Sequence, residues 1–341
     1  MPEKEIELDG NNVSPVENEV EMAPVGAVAP GEQHATFNAV PSDISARLAD
    51  KHSASDLLDE IIRANETDLI PWEEIPLPSR GLWYNDQIPG GIVRVKAMGA
   101  FADKILATQR LAQTGQSIDY LLEHCVQFTN GFKSEDLLAG DRVFLLYVLR
   151  GITHGNIYEF LLTCPACEAV NSHTYDLNEL SRTLTLGNPN LGSEPFKVSL
   201  PYLSEASKRD VYVRVRFLRG SDISTIAKRQ RFKKKIAPSA PRTGAATSRS
   251  SQSVVIDDSL TENLNLVITD WMGQVTDPSK IKALVERLHS SDTAAIREFL
   301  RENSPGIDTT ISCSCPNCGN EYKTELPITE NFFRPTQRRR V

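Results

Sequence analysis

The sequence predicts an α+β fold: a helical core combined with a split pair of β-hairpins, preceded by a disordered N-terminal leader. Three observations predict it. Apolar residues recur with a helical period between Phe101 and Arg150. The period changes to two over residues 157–176 and 196–218, as in half-buried strands. Two segments, YEFLLTCPACEAVNSHTYDL (158–177) and TTISCSCPNCGNEYKTELPI (309–328), each run from a strand-like stretch through C-P-x-C to a second strand-like stretch. Each therefore reads as a hairpin with a cysteine pair at its tip.

The composition excludes several classes. With 341 residues, 40% hydrophobic and 24% charged, the chain has enough apolar material for a sizeable core. The longest apolar run, Val143 to Leu149, falls far short of the ~20 residues of a membrane span. The N-terminus, MPEKEIELDG, is acidic and lacks the cationic start of a signal peptide, which argues against export. Residues 1–21 carry seven acids against one lysine, so most of the net charge of −8 belongs to the leader.

The elements follow in order. Residues 1–54 form the acidic leader, rich in Pro, Ala, Val, Glu and Asn and without a sustained period. Residues 55–70 hold an amphipathic docking-helix candidate, with Leu57, Leu58, Ile61 and Ile62 on one face. Residues 71–335 form the main domain. It opens with an extended stretch in which Pro71, Pro76, Pro78 and Pro89 exclude helix. Ile92, Val93 and Val95 then suggest a strand. Helices are expected near 101–113, 117–128 and 134–150, the last capped by Ser134 and apolar nearly all round. Two more start at Asp277 and Asp292. A basic run, KRQRFKKK (228–235), leads into a flexible linker at 236–253, and residues 336–341 form a basic tail. Trp72, Leu77, Leu82, Trp83 and Tyr84, and likewise Phe332 and Phe333 beside Arg334, either cover their own domain or anchor a partner.

The cysteines carry the chemical signal. Four of six fall in the two C-P-x-C pairs, and tetrahedral Zn²⁺ takes four thiolates. Cys164, Cys167, Cys315 and Cys318 are thus the expected ligands of one structural zinc in a split zinc-ribbon-like site. Four protein ligands leave no position for water or substrate. Gly319, after the second pair, suits the left-handed bend of a metal knuckle; Glu168 stands in that place in the first. The alternatives are a redox pair, Cys313 in place of Cys315, and an inert core thiol for Cys125. No nucleophile, phosphate-loop or paired-acid motif is present, so no catalytic residue and no enzyme is expected. The basic run keeps open a second reading, a nucleic-acid-binding zinc-ribbon protein.

Taken together, LPSRGLWY (77–84), LLAGDRVFLLYVLRGITHGNIYEFLLTCPAC (137–167), PGID (305–308), CPNCG (315–319) and LPITENFFRP (326–335) resemble the bacteriophage baseplate proteins, a family that includes the hub-assembly proteins of T-even phages. The resemblance covers roughly residues 70–335. It implies a non-enzymatic structural or assembly role in a contractile-tail baseplate. The expected partners are other baseplate and tail-hub proteins in a hetero-oligomeric assembly built in the host cytoplasm, with neither nucleic acid nor membrane. The leader, the linker and the tail inherit no role from it.

Overall fold

A computed structural model describes residues 42–51, 53–64, 69–129, 131–236, 259–328 and 330–334. Most of the leader, the linker beyond Ile236 and the basic tail lie outside the described residues. The end of the leader departs from expectation: Ser42–Ala49 forms helix α1. Composition hides it because its apolar positions are few, yet Ile44 is buried. Arg47 and Lys51 pair with Glu60 of helix α2, Ala54–Arg63, whose first turn is capped by the Ser53 hydroxyl accepting from the Asp56 N–H at 3.1 Å. The polar side of α2 is thus turned inward. Its apolar residues Leu58, Ile61 and Ile62 face solvent, 56, 39 and 70% exposed.

The proline-rich stretch contributes a strand that was not expected. β1 (Trp72–Pro76) pairs antiparallel with β2 (Ile92–Lys96), and β3 (Val126–Gln127) closes the sheet on the other side of β2. Pro76 is tolerated because β1 is an edge strand. The residues between β1 and β2 cover their own domain. Leu77 and Tyr84 are buried, and the Trp83 ring packs edge-on against Phe217 and Phe196, with centroids 4.9 and 5.8 Å away. The Trp83 indole N–H donates to the Gly192 carbonyl at 2.8 Å.

Three helices follow where two were expected. α3 (Ala100–Ala107) and α4 (Gln109–Thr114) are separated at Thr108, whose extended backbone breaks the first run; α5 is Ser117–Cys125. The central helix α6, Ala139–His154, starts five residues later than Ser134, which instead opens a short 3₁₀ turn. Leu145 and Leu149 of α6 are fully buried at the middle of the core. Asp141, in its first turn, is also fully buried: one carboxylate oxygen accepts from the Ser79 N–H at 2.9 Å and the other from the Tyr84 hydroxyl at 2.6 Å. The Tyr84 oxygen in turn accepts from the Leu138 N–H at 2.9 Å. This chain fastens the 77–84 segment to the N-terminus of α6, where a carboxylate is favoured by the helix dipole. Burial nevertheless pushes the Asp141 carboxyl above the usual range.

Beyond α6, β4 (Ile157–Thr163) and β5 (Val170–Asp176) form the first hairpin. β6 (Leu184–Thr185), β7 (Phe196–Ser199), α7 (Pro201–Ser207), β8 (Tyr212–Val215), α8 (Gly220–Ile236), α9 (Ser259–Val267) and β9 (Ile268–Trp271) follow. β7, β8 and β9 make an antiparallel sheet in that order. The basic run 228–235 lies in the C-terminal half of α8. α10, Pro278–Val285, has Asp277 as its N-cap, the side chain accepting from the Ser279 N–H at 2.9 Å. α11, Ser290–Asn303, is capped by His289 rather than Asp292, which is buried and accepts from the Tyr202 N–H at 2.8 Å.

The chain then returns to α6. β10 (Gly306–Ile307) pairs with β6, β11 (Thr310–Ser314) and β12 (Glu321–Glu325) form the second hairpin, and α12 (Glu330–Phe333) ends the described chain. Gly140 of α6 meets Pro305 so closely that a Cβ there would lie 1.8 Å from the Pro305 carbonyl oxygen. Phe332 and Phe333 are buried, with Phe332 edge-on to Tyr147 at 5.1 Å and to Tyr158 at 5.0 Å. Of the aromatic arms considered as partner anchors, Leu77, Tyr84, Phe332 and Phe333 are therefore core, and Trp83 is half-buried against it. The Tyr147 hydroxyl donates to the Leu326 carbonyl and the Tyr158 hydroxyl to that of Pro327, which fixes the second hairpin's exit against α6 and β4.

Candidate metal centre

Each hairpin ends in the same turn. In the first, the Cys164 N–H donates to the Ala169 carbonyl and the Glu168 N–H to the Cys164 carbonyl, both at 2.9 Å. In the second, the Cys315 N–H donates to the Asn320 carbonyl at 2.9 Å and the Gly319 N–H to the Cys315 carbonyl at 2.8 Å. Gly319 has φ of 71° and Glu168 has φ of 58°, so both turns close through a left-handed residue. Glu168 adopts the glycine conformation at a conformational cost of about 1 kcal/mol.

The two tips converge. The sulfurs of Cys164, Cys167, Cys315 and Cys318 all lie within 4.8 Å of one another, the one such group of metal-ligating side chains among the described residues. Cys164 and Cys318 are 3.7 Å apart at sulfur, as are Cys167 and Cys315. A disulfide needs ~2.05 Å, so these are separate thiols. Four sulfurs at ~2.3 Å from a tetrahedral ion stand ~3.8 Å from each other, and the donor set fits that geometry. Cys164 and Cys315 are buried, Cys167 is half-buried and Cys318 is exposed. Cys313, the alternative ligand, points away into the apolar core, as does Cys125.

Two residues that sequence reasoning missed complete the cluster. The Asn171 amide donates to the Cys315 sulfur at 3.3 Å, and the Asn317 amide to the Cys167 sulfur at 3.6 Å. Each asparagine serves a cysteine of the opposite hairpin. Asn317, inside the C-P-x-C, could have been noticed; Asn171 has no local signal because its partner is 144 residues away.

The electrostatics favour thiolate at Cys315 and Cys167 and the thiol at Cys318. Burial pushes the Cys315 thiol up, but the backbone N–H groups of Cys318 and Asn317 and the Cys164 and Cys318 thiols outweigh it and hold it at about 6. The Ala169 N–H, the Asn317 amide and the Cys318 thiol lower Cys167. At Cys318 the Asn320 N–H pulls downward. There, however, protonation is favoured by contacts with Cys167, Cys315 and Cys164, and the thiol ends at about 12. A cluster in which some sulfurs ionise readily is one that a divalent cation can complete, because only thiolate binds metal.

No helix among the described residues is long and apolar enough to cross a membrane. Neither the curated proteins nor the solved structures provide a match to this chain. Residues 84–334, from Tyr84 of the α6 anchor through both cysteine hairpins to the end of α12, match the family described as T4 bacteriophage base plate protein. The chain belongs to the T4 bacteriophage base plate protein family.

Proposed function

We propose that this protein is a non-enzymatic structural or assembly component of the hub region of a contractile phage-tail baseplate, in which one Zn²⁺ on Cys164, Cys167, Cys315 and Cys318 ties the two ends of the domain together. The family match over residues 84–334 supports the baseplate role, and the convergence of four sulfurs from hairpins about 150 residues apart in sequence, at spacings suited to a tetrahedral ion, supports the shared metal. Closing so long a loop removes ~5 kcal/mol of unfolded-state entropy in the loop model. With all four positions filled by protein, the ion supplies cohesion and leaves no open site for substrate. The surrounding side chains agree: Tyr84, Trp83, Phe332 and Phe333 are spent on the core rather than on a pocket for chemistry.

The expected partners are other baseplate and tail-hub proteins, the location is the virion tail after assembly in the host cytoplasm, and the 55–70 segment serves as a docking element. Elemental analysis of the purified full chain tests the metal: one zinc per chain supports the reading, one iron changes the ion, and no metal refutes the site. Mass spectrometry of purified virions tests whether the protein stays in the particle. The six basic residues of 228–235, carried on α8, favour a second reading as a nucleic-acid-binding protein. Steeply salt-dependent DNA binding by the full chain would support it.

A further inference from the structure

Strand β4 has β5 on one side and, among the described residues, no strand on the other. Two flanking bonds fix which backbone groups face β5. The Leu177 N–H donates to the Asn156 carbonyl at one end and the Cys164 N–H to the Ala169 carbonyl at the other, both at 2.9 Å. Antiparallel ladders alternate, so Tyr158, Phe160 and Leu162 bond to β5 while Ile157, Glu159, Leu161 and Thr163 turn their N–H and C=O groups outward. Of these outward groups, only the Ile157 carbonyl has a partner among the described residues, the Arg150 guanidinium at 3.2 Å.

The side chains on that row are open as well. Ile157 is 57% and Leu161 55% exposed, and Glu159 and Thr163 face solvent. The other free edges of the two hairpins are guarded. Beyond Val170, β5 presents Ser172, Thr174 and Asp176; β11 presents Ser312 and Ser314; β12 presents Glu321, Lys323 and Glu325. Polar and charged residues of this kind keep an edge from pairing. On β4 only Glu159 separates Ile157 from Leu161 in the outward row.

We propose that β4 of one copy pairs antiparallel with β4 of a second copy across a two-fold axis at Phe160, which makes one continuous sheet of both hairpins. What covers an open edge is set by its unmet backbone bonds, and these call for an extended strand. The β4 edge is complementary to itself in this register. Glu159 and Leu161 of opposite copies exchange N–H to C=O bonds, and each Ile157 N–H meets a Thr163 carbonyl. No like charges stand opposite each other. An axis at Glu159 would oppose two carboxylates, and an axis at Leu161 would bring Pro165, which lacks an N–H, opposite Ile157. A seven-residue strand buries less than the ~800 Å² per partner of a stable interface, so the dimer is weak and concentration-dependent. The inference depends neither on the metal nor on the baseplate role.

Sedimentation equilibrium on the full chain tests it. The weight-average mass should climb from one chain toward two, and no further, between about 1 and 100 μM. Leu161→Glu sets a second carboxylate opposite Glu159 on both sides of the axis and should weaken the dimer at least about tenfold. Leu161→Lys should keep or tighten it, because the lysine meets Glu159 of the other copy. Leu161→Pro, whose missing N–H faces outward, should abolish pairing, whereas Ser172→Pro on β5 should not. Circular dichroism checks each fold, and Thr163→Pro replaces Leu161→Pro if that variant loses structure. A wild type that stays monomeric at 100 μM overturns the proposal. Equal weakening by Leu161→Glu and Leu161→Lys, loss of the dimer with Ser172→Pro, or growth beyond two chains would overturn it as well.

Discussion

The side-chain amide of Asn171, on the first hairpin, donates to the sulfur of Cys315 on the second, 3.3 Å away. With the Asn317–Cys167 contact it makes the two knuckles interdependent: each hairpin supplies two thiols of its own and one donor to the other's sulfur. Such outer donors lower the charge on thiolate and fix ligand orientation.

Replacing Asn171 or Asn317 by Ala should therefore weaken metal binding by roughly 10- to 100-fold while the hairpins stay paired. Competition against a chromophoric zinc chelator gives the affinity. Unchanged affinity in both variants would show that the amides are bystanders.

Removing the metal should act on the whole domain rather than on one loop. Cys318→Ser, or chelation of the wild type, should lower the melting temperature and expose both hairpins together, since metal-binding energy here is folding energy. Hydrogen exchange followed by mass spectrometry reads this directly. Protection lost at β11 and β12 but retained at β4 and β5 would contradict a shared ion.

The two left-handed turn positions make a matched pair of mutations. Gly319→Ala should destabilise by about 1 kcal/mol, for strain alone, because a Cβ there meets nothing within 4 Å. Glu168→Gly should be neutral or mildly stabilising, the relief of strain being offset in part by greater freedom of the unfolded chain. Denaturant unfolding at constant metal measures both. A Glu168→Gly variant destabilised by a similar amount would mean that the Glu168 side chain has a role of its own.

The Tyr84–Asp141 bond should be among the more consequential polar contacts. Tyr84→Phe leaves an Asp141 oxygen and the Leu138 N–H without their partner in a buried setting, at a cost of ~3 kcal/mol. Asp141 also sets a pH dependence. Burial raises its folded pKa, so the stability tied to this group is fully present below the unfolded value of ~3.9 and is lost as pH rises through the raised folded value. The stability of the wild type relative to Asp141→Asn should accordingly shrink as pH rises from about 4 through the raised folded value. A constant difference across that range would rule out the buried carboxyl as the source.

What the sequence determined by itself was whatever local spacing expresses. The period of 3.6 marked the core helix, the period of two marked β4, β5, β7 and β8, and C-P-x-C with its following Gly319 marked the two turns and the four cysteines that come together. Asp277 was legible as a cap because its partner is two residues away. Tertiary structure decided everything whose partner is distant in the chain. Trp83 and Phe332 look the same in sequence whether they face a partner or the core; packing against Phe217 and Tyr147 settled it. Ser134 lost its capping role and Asp292 became a buried anchor because residues far along the chain supplied their hydrogen bonds. The outward turn of the α2 stripe was likewise invisible, since the moment of an amphipathic helix gives a face but no direction. Glu60 pairs with Arg47 of α1 and with Lys51 just beyond it, while Leu58, Ile61 and Ile62 face solvent.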